Sequence, residues 1–480
     1  LGIIDRRRHQ PSWPAIAQTA ALRGHQDTMD FLETSDPADV RRRVAAQLRV
    51  IARADHCISR QFISPNALRV LYRLRDAGFN ACLVGGAVRD LLFGNRPKDF
   101  DVATNATPEE VKALFRNCRL IGRRFRLAHV HYGEEIIEVS TFRGLGDDGS
   151  GDREVVDGRL TRDNVYGSIE EDAVRRDFTV NALYYAIEDF SVRDYVGGYD
   201  DVQRRQLRLI GDVERRFRED PVRALRAVRF AAKLGFSIAD DVAAGIREYG
   251  PLIVDAPPAR LFDEMLKLFL AGHALSGFRE MERYGLFAVL FPESSQAIRK
   301  DPRGRALIEA ALASTDARIA LGRPVTPAFL FAALLWPAVE HRAALIAERG
   351  HGDPEGEASA QIVAEQAQRI ALPKRFSLPM QEIWDLQPRF VTNQRKRVQR
   401  LLAHPRFRAA YDFLLLRSSA NLELVELAQR WDRAQHEGPD AVLSGQPMPE
   451  KAAAVDAPAK KKRRRRRRMP GEAAGAVAPE

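Results

Sequence analysis

Cysteine is scarce: the 480-residue chain has three, Cys57, Cys82 and Cys118. Their odd number and wide spacing argue against a disulfide framework and a CxxC metal site, and fit a reducing compartment. Long apolar runs are also missing. The longest, residues 328–339, is twelve residues with Pro337 inside it, short of the ~20 a membrane helix needs, so no span is predicted. No apolar segment follows Arg6, Arg7 and Arg8, which argues against a secretory signal, and the protein is expected to be soluble and cytoplasmic. There is no internal repeat. Nor does most of the chain carry an excess of either charge. Lys and Arg number 75 against 65 Asp and Glu, a net +10, but nine cations form the single run 460–468, and without it the chain carries +1. A polybasic tail binds polyanions by releasing their counterions, which makes nucleic acid the partner to expect.

What is present is a sharp pattern from about residue 55, in a length that allows about three domains. Residues 1–54 are polar and Arg-rich, and no chemistry is assigned to them. Leu68, Leu71 and Leu74 have helical spacing over 66–77, ended by Gly78. Residues 81–84 read as a buried strand broken by Gly85 and Gly86. A short helix to 92, a strand over 98–104, and a helix opened by the Thr107, Pro108, Glu110 capping box follow. Strands at 127–132 and 136–142 complete a small mixed sheet, and the Gly- and Asp-rich stretch 144–163 reads as a mobile loop. From Ser168, which forms a capping box with Glu171, the chain reads as mostly helical to about 436. Asp220 and Pro221 start one helix, with Gly235 its C-cap. The Ala-, Pro- and Arg-rich end after about 440 is expected to be disordered. The fold class is α+β: a small mixed-sheet head followed by all-α domains.

The stretch LVGGAVRDLLFGNRPKDFDVAT, residues 83–104, concentrates the chemistry. Residues two apart on a strand share a face, so Asp99 and Asp101 project together while Phe100 and Val102 enter the core. Paired carboxylates repel unless a cation joins them, and hard oxygen ligands of this kind suit Mg²⁺, which completes its shell with water and substrate phosphates. The same DxD spacing also occurs on exposed strands and turns that bind nothing. Gly85 and Gly86 just upstream let backbone approach a phosphate, with Arg89 one turn further. A second cluster, Arg175, Arg176 and Asp177, is placed inside the helix capped by Ser168; its bland reading is a solvated face. A third, residues 214–230, sets Arg223, Arg226 and Arg229 beside Asp220. These read either as a salt-bridge ladder or as planar donors for a base and its phosphates.

In order and spacing, LVGGAVRD (83–90), KDFDVAT (98–104), RRDFTVNALYY (175–185), YVGGYDD (195–201) and REDPVRALRAVRFAAKLGF (218–236) closely resemble bacterial poly(A) polymerases and CCA-adding enzymes. These share a nucleotidyltransferase head of the DNA polymerase beta superfamily. The resemblance covers about residues 55–295. It implies Asp99 and Asp101 as metal ligands, Asp177 as a further active-site carboxylate with Glu138 as the second candidate, and Gly86 and Arg89 on the incoming triphosphate. Arg176 would help hold the nucleotide, and Asp220, Arg223 and Arg226 would read the base. Mg²⁺ would be the cofactor, ATP the substrate and RNA 3′ ends the partner, on a monomer. The domains it implies are an N-terminal extension (1–54), the head (55–196), a helical neck (197–255), a helical RNA-binding body (256–440) and a basic tail (441–480).

Three features resemble the poly(A) polymerase branch: LIGRRFRLAHV (120–130), with Arg123, Arg124 and Arg126; HCISRQFISPNALRVLYRL (56–74); and the basic tail. The C-terminal region mixes Lys374, Arg375, Phe376, Arg389, Phe390, Arg395, Lys396, Arg397, Arg406 and Phe407, as a surface gripping single-stranded RNA would, or as a core with a solvated face. The expected activity is template-independent transfer of AMP from ATP to RNA 3′ ends. The alternatives are a CCA-adding enzyme and a catalytically inactive RNA-binding module.

Overall fold

The computed structural model describes residues 37–122, 126–145, 153–156, 159–350 and 352–443. The expectations for residues 1–36, Arg123, Arg124 and the tail, and part of that for 144–163, lie outside them. Eight strands form the head sheet: β1 (Arg49–Ile51), β2 (Ala81–Val84), β3 (Asp101–Thr104), β4 (Cys118–Ile121), β5 (Leu127–Tyr132), β6 (Glu135–Thr141), β7 (Leu183–Ala186) and β8 (Val192–Asp194). Their order is β1-β8-β7-β2-β3-β6-β5-β4. All neighbours are antiparallel except β3 and β6, which run parallel.

Alternation sends successive side chains to opposite faces. Ala81, Leu83 and Val102 enter the large core that continues through the helical part. Cys82, Val84 and Ala103 pack with Phe142, Tyr184 and Tyr195 on the other face. Helix α1 (Pro65–Asp76), capped by Ser64, buries Leu71 and Leu74 as its periodicity predicts. Helix α2 (Gly86–Leu92) leaves β2 through Gly85, and α3 (Pro108–Leu114) begins at the predicted capping box. The Ser168 capping box opens α4 (Ile169–Arg175). Beyond the sheet come α5 (Val213–Glu219), α6 (Val222–Leu234) and α7 (Pro258–Phe269), with Gly235 left-handed (φ +66°) at the end of α6.

Four expectations change. The 98–104 strand begins only at Asp101, because its pairing with β2 ends at the Val84–Asp101 pair, where Gly85 (φ +75°) turns the chain away. The helix capped by Ser168 ends at Arg175; Arg176 is extended (ψ 166°), so Asp177 lies outside it. The region after 168 is not all helical: LYYA becomes β7, buried on both faces, and its apolar run hid the strand. Within 1–54, β1 adds an edge to the head sheet against β8.

The helix α8 (Pro327–Ala347) is longer than the apolar run within it. Its 21 residues are long and apolar enough to cross a membrane, yet 67% of its apolar window is buried inside the fold, as in a core helix. Ala332 O accepts a hydrogen bond from Trp384 Nε1 at 3.2 Å, tying this helix to its neighbour.

Candidate active site

Asp101 opens β3, and its register partner across the parallel pair is Glu138 on β6. Glu138 in turn is partnered by His129 on β5. Partners in register share a face, so these three side chains form a row across three strands. Their neighbours Val102, Val139, Ala128 and Val130 fill the core on the opposite face. Glu138 Oε2 lies 3.4 Å from His129 Nε2, close enough for an ion pair. That nitrogen is buried and has no hydrogen-bond partner among the described residues.

Asp99 is exposed just before the strand, and Phe100 between the two aspartates is buried as expected. Asp101 is itself exposed, yet protein crowds around its carboxyl. This partial burial, followed by the charge of Glu138 and then of Asp99, outweighs the opposing charge of Arg176 and pushes the Asp101 carboxyl up to about 6. Such a set is short of positive charge. No three His, Cys, Asp or Glu among the described residues are arranged to hold a metal by themselves. Two or three carboxylates on an open edge nevertheless fit Mg²⁺, whose remaining ligands come from water and phosphate.

Gly85 floors this site. A Cβ there would stand 3.8 Å from Arg176 Nη1 and 3.9 Å from Asp101 Oδ2, so its absence leaves a gap between a guanidinium and a carboxylate. Arg176 is held by Asp172 Oδ2, which accepts from its Nε and Nη2 at 3.0 and 2.9 Å, while its Nε also donates to Tyr184 Oη. Burial works against its charge, but Asp172 and Tyr184 more than offset this and raise its pKa.

Arg89 turns inward instead. It is 2% exposed, donates to Asp90 Oδ1 at 3.0 and 2.8 Å and to Asn181 Oδ1 at 2.5 Å, and so braces the Gly85-Gly86 turn against the segment after Asp177. Gly86 lies beside it, with a virtual Cβ 3.4 Å from Arg89 Nη2.

Asp177 is not brought to the row. Its Oδ2 accepts from Arg226 Nε at 2.8 Å and Nη2 at 2.5 Å, and its Oδ1 accepts from Phe178 N. Burial alone would raise this carboxyl, but Arg226 and the hydrogen bonds hold it down at about 2. The carboxylate that the sheet sets beside Asp101 is therefore Glu138, whereas Asp177, the first choice, is paired with Arg226. Arg226 also faces Glu264 on α7, which pairs with Arg229 at 3.0 Å. Asp220 accepts a two-pronged pair from Arg260 at 2.7 and 2.6 Å. Arg223 Nη1 donates to Glu219 and to the Arg216 carbonyl. The ladder reading thus holds in part, but most of its rungs join different helices.

Sequence reasoning passed over His129, Arg216, Arg260 and Glu264. Arg216 donates to the carbonyls of Arg175 and Arg176, satisfying the end of α4 from a helix some forty residues on. Glu264 left a signal. It shares a helical face with Leu261 and Leu268, and an acid on an apolar stripe needs a buried cation. His129 was visible only within LIGRRFRLAHV.

Residues 81–208 match the family described as "Poly A polymerase head domain". Residues 235–298 match "Probable RNA and SrmB- binding site of polymerase A", and 354–469 match "Polymerase A arginine-rich C-terminus". Poly(A) polymerase I of Escherichia coli O6:H1 is 50% identical over 404 residues, 82% of this chain and 87% of that one. The CC-adding tRNA nucleotidyltransferase of Halalkalibacterium halodurans is 38% identical over 220 residues, 46% of this chain and 52% of that one. The crystal structure of the Bacillus stearothermophilus CCA-adding enzyme in complex with CTP aligns with a TM-score of 0.53 at 27% identity, covering 78% of this chain and 83% of that one. The open carboxylate row sits on a mixed sheet shared with nucleotidyltransferases, and identity of one half spans four fifths of the sequence: the chain belongs to the bacterial poly(A) polymerase family.

Proposed function

We propose that the chain transfers AMP from ATP to the 3′-hydroxyl of RNA, releasing pyrophosphate, with Asp99, Asp101 and Glu138 holding divalent metal at the head. The observation that carries this reading is the Asp101–Glu138 register pair, a concentration of negative charge with Asp99 close enough to act on it. Bound there, Mg²⁺ supplies a lowered pKa at the attacking hydroxyl and positive charge for the phosphates. Everything else falls to the chain. Gly85 leaves room for phosphate oxygens between Arg176 and Asp101, Gly86 lets the turn close on Arg89, and Arg176, pinned by Asp172, offers its Nη1 edge to that space. Arg89 acts as a positioning residue that keeps this turn in place.

His129 is assigned the role of orienting Glu138 from the far side of the row. Asp220, Arg223 and Arg226 are assigned the base-reading face, held as a preorganised set by Arg260, Glu219 and Asp177 respectively. No covalent enzyme intermediate is required. The division into head, neck, RNA-binding body and basic tail, a cytoplasmic setting and a monomeric state belong to the same proposal. Adenylate tailing is favoured over CCA addition because likeness to the poly(A) polymerase covers 82% of the chain, against 46% for the CC-adding enzyme.

The test is incubation of the purified protein with labelled RNA, Mg²⁺ and each nucleoside triphosphate singly. Long ladders with ATP on generic RNA are expected. A stop after a few C and A additions on transfer RNA would overturn the reading in favour of the CCA-adding enzyme, and retained RNA binding without extension in favour of the binding module.

A further inference from the structure

Arginines of the C-terminal helices are commonly tied to carboxylates: Arg342 to Glu365, Arg395 to Asp440, Arg406 to Glu382, Arg408 to Asp412 and Arg417 to Glu340. Arg389, Arg397 and Arg400 are different. All three are exposed, and none of their side chains has an ion pair or hydrogen bond with a described residue. They line one groove of about 630 Å³ together with Thr392, Asn393 and His404, and no Asp or Glu lines it. Arg389 also borders the neighbouring cavity, on which Asp385 opens and feels its charge, so it stands between the two, whereas Arg397 and Arg400 line the groove alone.

The local sequence builds this groove. Helix α9 (Arg395–Leu402) buries Val398 and Leu401. Residues at i and i+3 share a face, which aligns Arg397 and Arg400, and His404 just past the helix end lines the same groove. The preceding turn, Pro388–Val391, brings Arg389 to the same groove. That turn is anchored from beneath by Trp431 Nε1, which donates to Phe390 O at 2.8 Å. Rigid backbone therefore presents three like charges that repel one another until an anion arrives.

We propose that this groove binds the sugar-phosphate backbone of the RNA substrate at a second site, outside the head that holds the reacting 3′ end. The inference rests on the polyadenylation reading for the identity of the polyanion. Guanidinium forks match phosphate oxygens, Thr392 and Asn393 add neutral donors, and no Phe, Tyr or Trp lines the groove as a platform for bases to stack on. The contact is thus with backbone and insensitive to sequence.

The experiment replaces all three arginines in the full chain, once by alanine and once by lysine. Binding and extension are measured on RNAs of roughly eight and roughly forty nucleotides at several salt concentrations. For the alanine variant we expect KM and Kd for the long RNA to rise about tenfold or more and the log–log salt slope to shrink by about two to three. The short RNA should respond less than twofold, and the lysine variant should recover most of the lost affinity. Equal losses on both RNAs, or an unchanged salt slope, would overturn the proposal. So would unaltered RNA binding with lost binding to polyglutamate, which would assign the groove to an acidic protein. If the unaltered protein binds RNA but does not extend it with ATP, the polyadenylation reading fails while the groove is still tested by Kd.

Discussion

Two groups of carboxylates lie on either side of the same chain segment, and they are built in opposite ways. In the row at Asp99, Asp101 and Glu138 the acids neighbour one another, and the Asp101 carboxyl is pushed up to about 6. In the network beyond it Asp177, Asp220 and Glu264 each meet guanidinium groups, and Asp177 is held at about 2. The first arrangement spends stability to keep its negative charge uncompensated, as the proposed cation site requires. The second has its cations already and ties the head to α6 and α7. Motif membership alone does not separate them, since Asp101 and Asp177 both lie in the family's quoted segments.

The strongest way to break the comparison is to neutralise one acid from each group. Asp101→Ala is expected to lower nucleotide addition about a thousandfold or more without loss of fold. Asp101→Asn, followed by thermal unfolding in chelator, should be slightly more stable than the parent, by about 1 kcal/mol once solvent access is discounted. The sign follows from the raised pKa. Between 3.8 and about 6 the native state holds the extra proton, so ionised Asp101 costs stability above that window. Ordinary activity in Asp101→Ala would remove the central claim.

Asp177→Ala should instead unfold early, destabilised by about 1 to 3 kcal/mol, because it removes the two-pronged partner of half-buried Arg226 and leaves it only the longer contact with Glu264. Its pair stabilises the fold at neutral pH and loses that effect only as pH falls toward about 2. If urea denaturation found this variant as stable as the parent, Asp177 would belong with the open group.

A pH–rate profile sharpens the contrast further. Activity should fall about tenfold per pH unit below about 6 as Asp101 takes a proton. Raising Mg²⁺ should move that midpoint to lower pH, because metal and proton compete for the same oxygens. A midpoint indifferent to Mg²⁺ would assign the titration to another group. The smallest effect is expected from His129→Ala: about a tenfold higher Mg²⁺ requirement, with less change in kcat at saturating metal, and partial recovery in His129→Gln. A Mn²⁺ titration followed by electron paramagnetic resonance reads the same shift without turnover.

Much of the head was legible because its signals are local. Strand 81–84 and the capping boxes at Thr107 and Ser168 depend on residues within a turn of one another, and all appear where expected. β7 was missed because LYYA is apolar on both faces, which leaves no alternation to read. The choice between Asp177 and Glu138 stayed open in sequence because Glu138 lies 37 positions from Asp101 and only the parallel pairing of β3 with β6 makes them neighbours.

By itself, the sequence determined the family and the phosphoryl-transfer chemistry and marked Asp99 and Asp101 as the candidates to carry it, since these rest on residue types at short spacings. Tertiary structure decided which charges remain open. A carboxylate's role depends on what faces it, and the partners of Asp177, Asp220 and Glu138 are Arg226, Arg260 and Asp101, supplied by elements far along the chain. The Coulomb energy of those pairings falls with distance in space, which spacing in sequence does not encode.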